Sequence, residues 1–192
     1  MILPQRKYNE VLLTWEAISV IVSRGSLSEL GRSMAQEEEY QRFRKELADS
    51  WASGTDYVLH TKFLFTKYRG ADGRWRTTAP QTGGGDRGAT VLALNDYPYN
   101  LEEGVCHWVL WVLGRKVSEE DIAQAKADIV KKLSRDVDGR KGKGVSYSAA
   151  AATNLEFVHY VNPPHLQSFR EIDHAHILYR SVTGVNSTIF RD

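Results

Sequence analysis

The sequence predicts an α+β domain with N-terminal helices packed on a mainly antiparallel sheet built from the later half of the chain. Three observations lead to this. Apolar residues first recur at helical spacing; valine- and aromatic-rich runs of strand length follow; and those runs return through loops as well as through a helix, which disfavours a regular βαβ array. With 192 residues, 42% of them hydrophobic, the chain can close one sizeable core and not two, so 1–192 reads as a single domain.

Val11, Trp15, Ile18 and Val22 fall on one stripe of a helix from about Tyr8 to Ser23. Two capping-box patterns follow, Ser26 with Glu29 and Ser33 with Gln36, each able to satisfy an orphan amide at a helix start. They imply a short helix and a longer one. In the longer, Tyr40, Phe43, Leu47 and Trp51 form the apolar face, and Glu37, Glu38, Arg42, Arg44 and Lys45 suit a solvated surface. Around Asp56 to Thr66 the pattern fits a strand or a further helical turn equally well. About 69–88, glycine, proline, threonine and arginine dominate and predict a flexible loop; its Gly83-Gly84-Gly85 run lacks the Gly-Lys-Ser/Thr of a phosphate cradle.

Thr90 to Leu94 predicts a short buried strand, ended by the turn Asn95-Asp96-Tyr97-Pro98-Tyr99-Asn100, where Pro98 fixes its own backbone and restricts Tyr97. Val105 to Leu113 predicts a central strand with His107 inside it. Ser118 opens a helix with Ile122, Ile129 and Leu133 on one face, broken by a basic, flexible loop at about 136–146. Glu156 to Val161 and Ala175 to Arg180 complete the strands.

The 25 basic and 24 acidic residues nearly cancel, so any polyanion contact must be a local patch. A single cysteine, Cys106, excludes an intramolecular disulfide and suits a reducing compartment. Glu10 and Glu16 interrupt the apolar start, which therefore reads as a packed helix and not as a membrane span or signal, and a cytoplasmic location is expected.

The densest chemical constellation is Asp173-His174-Ala175-His176, where alternation along a strand lets His174 and His176 share a face. Two imidazoles need a third ligand, from His107 or Asp96, before they hold a catalytic metal; the alternative is a buried hydrogen-bonding histidine beside a surface one. For His107, the most economical partner is a carboxylate, Asp96 or Asp173, unless it is simply a satisfied core residue. Cys106 points to the opposite face and cannot form a dyad with it. Asn162-Pro163-Pro164 and Ser168 predict a rigid turn, with Asn162 as a ligand contact and Ser168 as a hydroxyl nucleophile on the functional reading.

Three blocks, LGRSMAQEEEYQRFRKELADSW, NDYPYNLEEGVCHWVLW and VNPPHLQSFREIDHAHILYR, occur in that order. Together they resemble the fungal N-acetylglucosamine-induced protein family, over about residues 8–181, most specifically at Asn95 to Tyr99, His107 with Trp111, Asn162-Pro163 and Asp173 to His176. The resemblance implies an arginine-containing cyclodipeptide synthase, which takes aminoacyl groups from charged tRNA and closes a diketopiperazine without a cofactor or metal. On it, His107, His174, His176 and Ser168 are the catalytic candidates, and Asn95, Asp96, Tyr97, Trp111, Asn162 and Asp173 bind substrate, a carboxylate suiting the guanidinium. Arg135, Arg140, Lys141 and Lys143 are the basic cluster for tRNA. Rival readings are a non-catalytic binder of a sugar-like metabolite and a metal-dependent hydrolase or lyase using His107, His174 and His176.

Overall fold

The computed structural model describes residues 8–78, 88–139 and 154–182, with side chains for all of these except 135–139. The fold is α+β. Helix α1 (Trp15–Ser23) is followed by a 3-10 turn (Leu27–Glu29), α2 (Met34–Ser50) and α3 (Gly54–Thr61). A small hairpin, β1 (Lys67–Arg69) with β2 (Trp75–Thr77), precedes β3 (Thr90–Leu94), β4 (Cys106–Val112), α4 (Glu119–Gly139), β5 (Leu155–Tyr160) and β6 (Asp173–Ser181).

The main sheet has the order β3-β4-β6-β5, antiparallel throughout. Its centre is the β4–β6 pair, in which His107 faces Leu178, Val109 faces His176 and Trp111 faces His174. Because side chains alternate, the two faces of this pair carry different cores. Trp108, Leu110, Ala175, Ile177 and Tyr179 meet Ile122, Ala125 and Ile129 of α4, together with partly buried Cys106. On the other face, Leu178 and Tyr160 meet Trp15, Ile18 and Ile21 of α1, and Val109 and Trp111 meet Val58 of α3. The histidines of β4 and β6 lie on this second face, roofed by the N-terminal helices.

Local boundaries differ from the sequence expectation where caps and turns outrank periodicity. α1 begins at Trp15 because Thr14 caps it, accepting from the Ala17 amide at 3.2 Å. Val11, on the predicted stripe, is 76% exposed, and Leu13 pairs with Leu101 as an isolated bridge. Ser26 makes no side-chain cap bond, and only a 3-10 turn follows it. Ser33 and Gln36 do form the reciprocal capping box that opens α2. Ser33→Ala should therefore cost about 1 kcal/mol, read as a lower urea midpoint at unchanged slope.

Of the ambiguous stretch from Asp56 to Thr66, the part up to Thr61 belongs to helix α3, capped by Ser53, and the rest leads as turn and coil into β1. The hairpin β1–β2 occupies part of the segment read as loop; its strands are too short and too exposed for an alternating pattern to show. Gly73, at φ +76°, makes its tight turn possible. α4 runs on to Gly139, through the point where Asp136 was expected to end it, and the remainder of the predicted basic loop lies outside the described residues, as do 79–87 of the glycine-rich one. No described helix is long and apolar enough to cross a membrane.

Candidate functional site

A row of polar side chains is built into the face of the sheet beneath the N-terminal helices. His107 Nε2 lies 2.9 Å from His176 Nδ1, and the Asn162 side-chain amide lies 2.9 Å from His176 Nε2. At the other end Asn95 Nδ2 sits 3.3 Å from His107. His107 and Asn162 are each 4% exposed, so this is a four-residue chain of hydrogen bonds inside the core. Tyr160 stacks on His176 with ring centroids 5.0 Å apart, and Tyr99 packs on His107 at 5.0 Å.

His174 stands one pleat further along β6. Its Nδ1 bonds the Ile172 carbonyl at 2.9 Å; since a carbonyl only accepts, Nδ1 carries the proton and Nε2 keeps its lone pair. Burial pushes the His174 pKa below the usual histidine range, against the raising effects of the Ile172 bond and Asp173. The ring is therefore neutral at neutral pH. Trp111 packs against it at 4.8 Å, and the Trp111 indole N–H is buried without a partner among the described residues. One end of the Asn162 amide is likewise unpartnered.

These residues surround a cavity of about 70 Å³ whose wall also includes Asn95, Asp96, Tyr97, Val58, Phe43 and Ser168. It thus gathers Asn95, Asp96, Tyr97, Trp111, Asn162, Ser168, His174 and His176, while His107 sits behind His176. Ser168 Oγ is 2.6 Å from the Tyr40 hydroxyl. Tyr97 stacks on Phe43 at 4.6 Å, and burial, followed by Tyr57 and Asp96, pushes its hydroxyl up to about 12, so it remains a donor.

Asp173 is not part of this assembly. Odd-numbered positions of β6 face α4, and Asp173 pairs with Val112 at the far end of β4 from His107. Its carboxylate takes bonds from Lys116 Nζ at 2.9 Å and the Val117 amide at 2.8 Å; burial raises its pKa, but these bonds bring it below the usual range. Asp96, half exposed at the rim, is held by Lys62 at 2.7 Å. The carboxylate partner expected for His107 is thus replaced by Asn95 and His176. Among the described residues no group of three or more His, Cys, Asp or Glu side chains is placed to hold a metal ion. The Arg135 side chain, Arg140, Lys141 and Lys143 lie outside what is described.

A larger cleft of about 720 Å³ adjoins the cavity, sharing Arg32, Tyr40, Leu166, Ser168 and Phe169 with it. Arg44, Arg170, His165, Gln41, Glu37 and Glu171 line its outer part. Phe169 is seated by Gly54, where a Cβ would come within 2.9 Å of the ring. The residue that sequence reasoning missed is Arg32. Its guanidinium bonds the Tyr97 carbonyl at 2.9 and 3.1 Å and Glu37 at 3.0 Å, and lies 4.0 Å above the Tyr40 ring. It ties the turn after β3 to α2, and nothing in its local sequence distinguishes it from a solvated arginine.

Comparison with known proteins gives this architecture a place. "Uncharacterized protein YPL067C" of Saccharomyces cerevisiae is 31% identical over 173 residues, covering 85% of this chain and 77% of that protein. A solved structure titled "Crystal Structure of HTC1" aligns with 87% of this chain and 84% of its own at 24% identity, with a TM-score of 0.47. The family model described as "Protein of unknown function (DUF3605)" matches residues 14–180, the span that holds the sheet, its covering helices and the whole cavity, and the chain belongs to that family.

Proposed function

We propose that the chain is a tRNA-dependent aminoacyltransferase that makes an arginine-containing cyclic dipeptide. The observation that supports this best is the junction of a small cavity, containing a neutral buried histidine, with a ten-fold larger cleft. The inner space of about 70 Å³ suits a reacting acyl centre and not a whole substrate; the outer cleft of about 720 Å³ lies within the roughly 300–1,000 Å³ of typical ligand sites.

In this reading the amine of the second aminoacyl group attacks the ester carbonyl of the first. A C–N bond forms, the C–O bond to the tRNA ribose breaks, and the amine proton passes through His174 Nε2 to the departing ribose oxygen. A second attack, by the free amine of the dipeptide on its own ester, closes the ring and releases the second tRNA. No ATP is consumed, because both esters arrive activated. Ser168, whose Oγ accepts from the Tyr40 hydroxyl and keeps its own O–H to donate, is the hydroxyl that orients the ester at the cavity wall. Asp96 at the rim is the carboxylate for the guanidinium, exchanging Lys62 for it. The tRNA end lies along Arg44 and Arg170, neither of which has an ion-pair partner among the described residues.

The test is mass spectrometry of small products after incubation with charged tRNAs, beside an RNase-treated control and one lacking arginine. A cyclic dipeptide containing arginine that vanishes in both controls is expected. Charge reversal of Arg44 and Arg170 together should then raise KM for charged tRNA at least about ten-fold and flatten its salt dependence. Absence of product from folded protein with fully charged tRNA would leave the enclosed polar cavity as the pocket of a small-metabolite binder.

A further inference from the structure

From Lys62 to Thr78 the chain carries five cations, Lys62, Lys67, Arg69, Arg74 and Arg76, and one acid, Asp72. Two of the five are neutralised. Arg76 grips Asp72 with both ends of its guanidinium, at 2.7 and 3.0 Å, and Lys62 is bound to Asp96 at 2.7 Å. Gly70 leaves room for the first of these clamps, since a Cβ there would fall 1.7 Å from Arg76 Nη1. Lys67, Arg69 and Arg74 are exposed and have no carboxylate partner among the described residues.

Two of these three charges are nonetheless held in place. Strand alternation and the pairing of Arg69 with Trp75 put Lys67, Arg69 and Trp75 on one face of the β1–β2 hairpin. Lys67 Nζ lies 4.8 Å from the centre of the Trp75 ring and 5.6 Å from that of Trp51, and the Arg69 guanidinium lies 4.9 Å from Trp75. Unlike a carboxylate, a ring face orders a cation without cancelling its charge. Arg74 is held through its backbone alone, the N–H bonding Asp72 and the carbonyl accepting from Gly70. The hairpin is fastened to the wall of the outer cleft: the Ala52 amide donates to the Trp75 carbonyl at 2.9 Å, and the next three residues, Ser53, Gly54 and Thr55, line the cleft. Arg44, inside the cleft, precedes Trp51 by about 10 Å along α2.

We propose that the β1–β2 hairpin is an RNA-binding arm, in which Lys67, Arg69 and Arg74 take the phosphates of a strand that continues into the outer cleft. Charge complementarity calls for a polyanion, and the distance to Arg44 corresponds to about three nucleotides at roughly 3.4 Å of rise each, so one strand can meet both groups of cations. An anionic bilayer fits less well, because the large apolar ring on this face, Trp75, is covered by two cations and is not free to insert. That the RNA is a tRNA rests on the aminoacyl-transfer reading.

The test measures binding of uncharged, dye-labelled tRNA to the full chain by fluorescence anisotropy over a range of salt. It involves no turnover, so its failure and failure to detect a cyclic dipeptide are distinguishable. Replacing Lys67, Arg69 and Arg74 together by glutamine should weaken binding at least about ten-fold at about 0.1 M salt and lower the slope of log K against log salt by about 2. Lys67 and Arg69 also pack on Trp75, so a second variant tests the charge with the hairpin intact: Arg74→Glu removes no side-chain bond, and should weaken binding about five-fold and lower the slope by about 1. Lys131→Glu makes the same change of net charge at an exposed position of α4, on the other face of the sheet, and should leave both unchanged. No salt-dependent binding of tRNA, unchanged affinity and slope in Arg74→Glu, or an equal loss in Lys131→Glu overturns the proposal. So does binding to phosphatidylserine vesicles that the hairpin substitutions abolish while tRNA binding stays whole.

Discussion

Replacing His174 with asparagine should lower product formation by about 10²- to 10⁴-fold with the fold retained. The asparagine amide stands where Nδ1 stood and can keep the bond to the Ile172 carbonyl, but no lone-pair nitrogen remains at the position of Nε2. Burial sets the pH dependence. Because the folded pKa is pushed below 6.5, the base form persists below the usual histidine range, and turnover should fall only as pH drops through that lowered value. Stability follows the same residue: the unfolded chain takes up the proton first, so the contribution of neutral His174 is whole above about 6.5 and is lost as pH falls from there to the folded value. His174→Asn should make the decline of Tm with acidification shallower. A residual slope of the same sign belongs to His159, which burial and Lys126 also push down against the raising effect of Glu119.

His176→Ala should destabilise the protein by about 3–5 kcal/mol, measured by urea denaturation. His176 joins His107 to Asn162, and its ring lies under Tyr160. Truncation removes one partner from each neighbour and opens a void in the same place. A loss below about 1 kcal/mol would mean that water takes over the chain of hydrogen bonds, leaving a site that tolerates hydration.

Patterns that depend on neighbours in sequence were readable beforehand. β3 occupies the predicted residues, the capping box of Ser33 and Gln36 forms, and Cys106 and His107 point to opposite faces as strand geometry requires. The pairing of His107 with His176 was not readable, because it depends on strand order: β6 lies beside β4 although α4 and β5 separate them in the chain. Asp173 misled for a simpler reason. The strand starts two residues earlier than its apolar run, which places Asp173 on the α4 face, opposite His174. Arg32 was hidden because a buried clamp and a solvated arginine have the same letter, and Tyr40, legible as part of the apolar face of α2, gave no sign of its hydroxyl bond to Ser168.

The site draws its two central imidazoles from positions 69 residues apart, joined across strands that are not consecutive. Closing so long a segment costs chain entropy before the central pairing offsets it, and such distant contacts slow folding. The cavity also needs α2 and α3 on the same face. On the ribosome, then, a nascent chain that has already released its helices and β4 owns neither core nor pocket until β6 emerges and docks. Polar side chains waiting on a bare face of β4 are a hazard shared with hydrophobic ones, and both are resolved by a single late event.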